Sequence, residues 1–295
     1  MKFHLHPTNF IPLLAVPAAF FFSGVGFLLS PYTSWILATM LFVSFMGLRL
    51  KKLMPGIRHP SKALIAVLMI LVVSPLVAYP FARFLFPDFF LGVMLFMMLP
   101  AAVSSPAVAD IYGGDVALAT EDAVLSNLLS IITIPVFFGF FAHETVQVES
   151  LPILKQMFWV ILIPFVLGVL GNAVAPKVAT QIHRHSRMLN LALLFLLFFA
   201  AFSPHVKNMI ASLRNPHLLL ALVVTHALLH LLAKIDTWRS KNEAVKISIL
   251  CNMVLPNVGL GVVLAQHYLD SSALMFILLS EVVWVVIVGL IHYLK

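Results

Sequence analysis

The chain of 295 residues is 62% hydrophobic, carries charge on only 10% of its residues and has a formal net charge of +7. Soluble domains contain roughly 45–50% apolar residues, and a soluble chain with this excess would expose large patches that aggregate. The single cysteine, Cys251, excludes an internal disulfide and a cysteine-based metal site. We therefore predict an all-α integral membrane protein whose solvent is lipid.

Ten apolar segments follow one another along the chain, and each is long enough to cross a bilayer, which takes roughly 20 residues. Their ranges are 9–29, 33–50, 61–80, 88–112, 115–141, 154–175, 186–203, 216–234, 244–268 and 270–293. The first is too long for the apolar core of a signal peptide and predicts an uncleaved helix. The linkers are short, which predicts one transmembrane domain over residues 1–295 without an appended soluble module.

The basic residues lie mainly on one side of the predicted spans. With a cytoplasmic N-terminus, fourteen of the eighteen Lys and Arg residues fall on the cytoplasmic side. The positive-inside rule then predicts that both termini are cytoplasmic, in a bacterial-type inner or plasma membrane. The positive charge is thus a topology signal, and we predict no nucleic-acid partner.

Segments four and nine are interrupted at equivalent places. Pro100 recurs as Pro256, 156 residues later, and an aspartate begins the following helix in each case, Asp115 and Asp270. Five spans separate the partners, and because five is odd the two halves have opposite orientations. The sequence thus predicts two inverted five-helix repeats, about 9–141 and about 154–293. Paired broken helices in inverted halves indicate the binding site of a transporter.

The interruptions carry residues that suit new helix starts. In the first, MLPAAVSSPAVADIYGGD, Ser105 is predicted to cap a half-helix with Pro106 at its first position. Its positive dipole end would attract an anionic group at the membrane centre. In the second, Asn257 is predicted to cap, and Gly259 permits close backbone approach. The alternative is two proline kinks in ordinary helices. The predicted substrate-binding residues are Ser104, Ser105, Pro106, Asn257 and Gly259.

Acidic side chains inside the spans are candidates for ion coupling, because a carboxylate at the membrane centre costs about 2.5–3.5 kcal/mol on insertion scales. Glu281 lies in the middle of span ten. Asp122 shares a helical stripe of span five with Ser126 and Ser130, whereas Glu121 points the other way and suits a wet helix end. The predicted ion-coupling residues are Asp122, Ser126, Asn127, Asn252 and Glu281.

His226 and His230 share one face of span eight at a spacing of four residues. That spacing suits metal binding, but two ligands are too few and the sequence offers no third. We predict a buried, hydrogen-bonded pair, with a proton relay as the alternative. No metal and no cofactor are predicted.

At both interruptions the sequence resembles the bile acid:sodium symporter family. The resemblance rests on PAAVSS at 100–105, GDVALA at 114–119 and LPNVGL at 255–260. It implies that broken helices four and nine cross at the centre of a core domain built from spans three to five and eight to ten. It also implies a panel domain from the other four spans, and transport of organic anions such as bile acids, keto acids or pantothenate precursors, usually with sodium.

Most residues at the positions of the family's sodium ligands are of another kind in this chain. The resemblance places those ligands on Ile70, Ser105, Pro106, Ala119, Ala123, Asn252 and Pro256. Ser105 keeps an oxygen ligand of the expected kind, and Asn252 offers a neutral one. The coupling ion, sodium or proton, therefore stays open.

Pattern and resemblance together predict a secondary active transporter, not an enzyme, that moves a small or amphipathic organic anion by alternating access with a coupled cation. One alternative is a proton-driven exporter or facilitator resembling arsenite or auxin efflux carriers. Others are a channel and an intramembrane enzyme that uses the two histidines. The predicted partners are the organic anion and the lipid bilayer, and the sequence leaves homo-oligomerisation open.

Overall fold

A computed structural model describes the backbone of residues 11–48, 60–141 and 149–294, and the side chains of 14–48, 62–141 and 149–283. Within these ranges the protein is all-helical and has no β-strand. Residues 9–10 and 49–50 of the predicted first two spans, and most of the linker after span five, lie outside the described residues. So do several basic residues used in the charge count: Lys2, Arg49, Lys51, Lys52, Arg58 and Lys295.

The helices of the first half begin and end close to the predicted apolar segments. Their bounds are α1 Ile11–Phe21, α2 Ser23–Leu29, α3 Thr33–Met46, α4 Pro60–Leu68, α5 Ser74–Leu85, α6 Phe90–Met98, α7 Ser105–Ile111 and α8 Val116–Phe141. A π-helical turn, Met69–Val73, joins α4 to α5 in one continuous rod. The break between α6 and α7 falls inside the predicted interruption of span four.

The second half also contains continuous and interrupted helices. Its helices are α9 Ser150–Met157, α10 Ile163–Val174, α11 Pro176–Phe202, α12 Val206–Ser212, α13 Pro216–Thr237, α14 Glu243–Val254, α15 Val258–Tyr268 and α16 Ser271–Leu294. A second π-helical turn, Phe158–Leu162, joins α9 to α10. The break between α14 and α15 confirms the predicted interruption of span nine.

Length and apolar composition make this an integral membrane protein. Six helical stretches of the described chain are long and apolar enough to cross a bilayer: Ser23–Met46, Lys62–Leu85, Val116–Phe141, Ser150–Val174, Pro176–Ser212 and Pro216–Thr237. Shorter apolar helices accompany them. Large apolar side chains such as Phe21, Phe84 and Val174 are about four-fifths exposed, which in water would favour aggregation and in a bilayer places them against lipid.

The helices pack in two groups. In one, α3 packs against α10 and α11, and α11 packs against α1. In the other, α13 packs on α14, α15 on α16, and α6 on α5 and α16, while α7 and α14 both pack on α8. Helix α15 lies where the groups meet, because it also contacts α3 and α11.

The interrupted helices lie at the protein interior. All nine residues of α6 are buried, as are the first eight residues of α15 and most of α14. A helix that is apolar all round is stable when protein surrounds it on every side. The second break, residues 255–257, is therefore enclosed by other helices, as unpaired backbone groups require. In the first break Pro100 and Ala101 are buried, whereas Ser104 is exposed.

Candidate functional site

The two chain breaks pair with each other through their backbones. The Asn257 N–H donates to the Pro100 carbonyl at 2.7 Å, and the Ala102 N–H donates to the Leu255 carbonyl at 2.8 Å. This short antiparallel bridge joins Ala101 to Pro256. Because a residue before proline avoids the helical region, each helix ends at its Leu-Pro step and its freed backbone groups find partners in the other break.

Two polar residues of α8 fasten this crossing from the side. The Ser126 hydroxyl accepts from the Ala101 N–H at 3.2 Å. The Asn127 amide donates to the Ala101 carbonyl at 2.8 Å and to Ala123 at 2.7 Å, and its oxygen accepts from the Asn257 amide at 3.1 Å. Ser126 and Asn127 are fully buried. Both are predicted ion-coupling residues, and in the structure their side chains bond to the residues of the crossing.

The structure confirms the predicted role of Asn257 as a helix cap. Its side-chain oxygen accepts from the Leu260 N–H at 3.2 Å at the start of α15. The same side chain therefore caps one half-helix and bonds to α8. A single asparagine joins the second break to the element that fastens the first.

A second buried cluster connects Ser105, Asn252 and Asp122. The Ser105 hydroxyl donates to the Asn252 side-chain oxygen. The Asn252 amide donates to the Asp122 Oδ2 at 3.2 Å and to the Ala119 carbonyl at 3.1 Å. Asp122 is fully buried, and its Oδ1 has no hydrogen-bond partner in the described part of the chain. The cluster thus has one carboxylate oxygen available to a further ligand.

The predicted cap of the first half-helix is wrong. Helix α7 begins at Ser105, so Ser104 occupies the N-cap position, makes no side-chain capping bond, and Pro106 is the second helical residue. The reason lies across the fold, because the Ser105 hydroxyl is engaged by Asn252 on α14. Sequence spacing could not show a partner 147 residues away.

The predicted substrate-binding residues occupy different surroundings. Ser105 and Asn257 are buried in the two hydrogen-bonded clusters, whereas Ser104 is exposed and Pro106 is half-buried. Gly259 faces the other helix group: a Cβ atom there would lie 3.0 Å from Leu197 Cδ2. The set therefore extends from the crossing to the surface between the two groups of helices.

Glu281 stands apart from both clusters. Its side chain is only 4% exposed, on α16. Within the described residues, no hydrogen bond or ion pair to its carboxylate occurs. A buried carboxyl group without a donor is costly to ionise, so Glu281 is a second candidate for binding a proton or another cation.

The two histidines of α13 do not bond to each other. His226 is buried, its Nδ1 lies 2.8 Å from the Leu222 carbonyl, and its ring packs 4.8 Å from that of Phe96. His230 is half-buried, and its Nδ1 is unpaired in the described structure. Among the described residues, no three His, Cys, Asp or Glu side chains form a possible metal site.

A polar contact between the two helix groups escaped the sequence analysis. The Gln266 amide donates to the Ser30 hydroxyl at 2.7 Å and to the Ser30 carbonyl at 3.2 Å, while the Thr33 hydroxyl donates to Gln266 Oε1 at 3.1 Å. Nearby, the Tyr268 hydroxyl donates to the Pro152 carbonyl at 3.1 Å. The available signal was a single amide near the end of an apolar half-helix, which does not identify its partners.

Comparison with known proteins relates this chain to a family of transporters. A model of the SBF-like CPA transporter family matches residues 10–288. The uncharacterized protein YbaS of Bacillus subtilis (strain 168) is 24% identical over 141 residues, which is 47% of this chain and 46% of that protein. The probable sodium/metabolite cotransporter BASS4, chloroplastic, of Oryza sativa subsp. indica is 27% identical over 184 residues, 58% of this chain and 43% of its own.

A further relative is the probable sodium/metabolite cotransporter BASS3, chloroplastic, of Oryza sativa subsp. japonica. It is 30% identical over 127 residues, which is 42% of this chain and 30% of that protein. In each case the chain matches less than half the length of the curated relative.

Proposed function

Because the chain belongs to the SBF-like CPA transporter family, we propose that it is a secondary active transporter that moves a small or amphipathic organic anion by alternating access, coupled to a cation. The protein is a membrane transporter and not an enzyme. The observation that carries the proposal is the backbone crossing of the two breaks, in which Asn257 donates to Pro100. Irregular backbone at the centre of a membrane is tolerated where it lines a cavity or a binding site.

The proposed architecture has ten spans in two inverted repeats. Pairing α1 with α2, α4 with α5, α6 with α7, α9 with α10, α11 with α12 and α14 with α15 assembles the described helices into ten membrane-crossing units. The antiparallel contact between the breaks and their spacing of 156 residues support an inverted relation. The group containing α4–α8 and α13–α16 would be the core domain and the other group the panel domain, with both termini cytoplasmic.

The proposed substrate site lies beside the crossing, where the core meets the panel. Ser104 is exposed at the first break, and Gly259 faces Leu37 and Leu197 of the panel helices α3 and α11. An anion bound here would contact both groups. Movement of one helix group against the other would then expose the bound anion first to one side of the membrane and then to the other. Ser105, Pro106 and Asn257 would shape the core side of this site.

The proposed coupling site is the cluster of Asp122, Asn252 and Ser105, supported by Ser126 and Asn127 at the crossing. It offers one buried carboxylate oxygen that has no hydrogen-bond partner among the described residues, together with neutral oxygens. Two relatives are named as probable sodium/metabolite cotransporters, which favours sodium. A single buried carboxylate with few neutral oxygens also suits a proton, and Glu281 is a second proton candidate. No cofactor other than the coupling ion is proposed.

A transport assay in reconstituted vesicles tests the proposal. Organic anions that raise the unfolding temperature of the purified protein would first be selected, because a ligand that binds only the folded state stabilises it. Their uptake would then be measured under an imposed sodium gradient or pH gradient. We expect saturable uptake, stimulation by substrate on the opposite side, and dependence on one of the two gradients.

Asp122→Asn and Glu121→Gln form a matched pair for the coupling site. Glu121 is the neighbouring carboxylate, is only half-buried, and forms no part of the cluster. We expect Asp122→Asn to abolish gradient-driven accumulation while the variant still binds substrate, and Glu121→Gln to behave as the wild type. Uptake that does not saturate and is not stimulated from the opposite side would indicate a channel and contradict the proposal. Gradient-driven efflux alone would instead favour the exporter.

A further inference from the structure

A cavity of about 450 Å³ lies between the end of α13 and the beginning of α14, away from the crossing. Its floor includes the buried side chains of Ile247 and Leu250. Its other lining residues are polar, charged or amphipathic: Lys234, Thr237, Trp238, Glu243 and Lys246. The cavity therefore has an apolar floor, and the rest of its lining carries two lysines and one glutamate.

The exposed face of α13 next to the cavity is apolar. Leu231, Ile235 and Trp238 are 55%, 54% and 77% exposed, and their spacing of four and three residues places them on one side of the helix with Lys234. In a membrane protein such a face contacts lipid. Tryptophan and lysine are typical of the level at which acyl chains give way to headgroups. The cavity therefore opens at the edge of the bilayer and not into bulk water alone.

The charges at the cavity favour an anion. Lys246 pairs with Glu243 at 2.6 Å, whereas no ion pair of Lys234 occurs within the described residues. The lining thus has two positive charges and one negative charge, and Arg239 lies 5.8 Å from the ring of Trp238. An exposed ion pair contributes only about 0–1 kcal/mol. Lys246 can therefore exchange Glu243 for a phosphate group at little cost.

We propose that this cavity binds one anionic phospholipid, with the headgroup phosphate between Lys234 and Lys246 and an acyl chain against Ile247 and Leu250. Basic pockets between membrane helices suit such headgroups. The apolar floor and the lipid-facing mouth distinguish a phospholipid from a free phosphate, which has no acyl chain to place there. The inference depends only on the protein spanning a membrane and not on the proposed transport function.

The test measures lipid binding to the purified, delipidated protein in a neutral detergent. Phosphatidylglycerol and phosphatidylcholine with identical acyl chains would be titrated, with bound lipid counted by native mass spectrometry and the unfolding temperature recorded in parallel. We expect the wild type to bind phosphatidylglycerol more tightly than phosphatidylcholine. Replacing Lys234 and Lys246 by Gln should weaken phosphatidylglycerol binding roughly fivefold per lysine, and roughly thirtyfold for the pair.

Three controls make the outcome decisive. Lys177 and Arg184 are two exposed basic residues of α11 outside the cavity. A variant in which both are replaced by Gln should bind phosphatidylglycerol as tightly as the wild type. Glu243→Gln keeps both lysines and removes the competing carboxylate, so it should bind phosphatidylglycerol more tightly. Equal binding by wild type and the lysine double variant would overturn the proposal. Stabilisation by inorganic phosphate equal to that by the lipid would overturn the assignment to a phospholipid.

Discussion

Asn127→Ala is the substitution that most directly probes the crossing. It removes the amide that bonds to the Ala101 and Ala123 carbonyls and the oxygen that accepts from Asn257. Side-chain hydrogen bonds in membrane proteins average about 0.6 kcal/mol and reach about 1.7 kcal/mol each. The substitution removes three hydrogen bonds and leaves the Ala101 carbonyl and one side-chain N–H of Asn257 without these partners. We expect the free energy of unfolding to fall by roughly 2–5 kcal/mol.

Ser130→Ala is the matched control on the same face of α8. Its hydroxyl donates only to the Asn127 carbonyl, one turn earlier in the same helix, so its loss should cost less than about 1 kcal/mol. Reversible unfolding of both variants in mixed micelles, titrated with a denaturing detergent, measures the difference. If Asn127→Ala destabilises the protein no more than Ser130→Ala, then Asn127 does not hold the two breaks together.

Substitutions at three further positions test other parts of the structure. Gln266→Ala should lower the free energy of unfolding by about 1–2 kcal/mol and speed amide hydrogen exchange in the turn of residues 30–32. Unchanged exchange would show that Gln266 does not connect that turn to α15. Gly259→Ala should lower the free energy of unfolding by less than about 1 kcal/mol, because the added Cβ meets the flexible ends of Leu197 and Leu37. Gly259→Leu should lower it by about 1–3 kcal/mol and slow transport in vesicles. Equal transport by the two Gly259 variants would place the moving surface elsewhere. If the coupled ion is a proton, Glu281→Gln should abolish accumulation of the substrate but retain its exchange across the membrane. If uptake by this variant keeps the pH dependence of the wild type, then Glu281 is not the coupling residue.

The positions of the helices and their breaks could be predicted because local chemistry determines them. Apolar length predicts a membrane helix, and proline disfavours the helical conformation of the residue before it, so that Pro100 and Pro256 follow the ends of α6 and α14. The polar stripe of α8 was also predictable, since helical periodicity alone places Asp122, Ser126 and Ser130 on one side. The structure confirms that these three side chains are buried while Glu121 is half-exposed.

The partners of those side chains could not be predicted, because they come from distant parts of the chain. Ser105 was assigned to capping by its position before a proline, yet its hydroxyl bonds to Asn252. Gln266 bonds to residues more than 230 positions earlier. A polar residue in an apolar helix has several local options, and only the packing of the helices decides among them.

Helix α8 is the shared neighbour of both broken helices, and this arrangement gives the proposed mechanism a physical route for coupling. Asp122 reaches α14 through Asn252, and Asn127 reaches α15 through Asn257. The two contacts are separated by five residues, or roughly 7.5 Å of helix rise. A cation that binds the free oxygen of Asp122 would compete with the Asn252 amide, and Asn252 also accepts from Ser105 at the start of α7. Neutralising one carboxylate would therefore change the contact between α7 and α14 beside the crossing, where the proposed substrate binds.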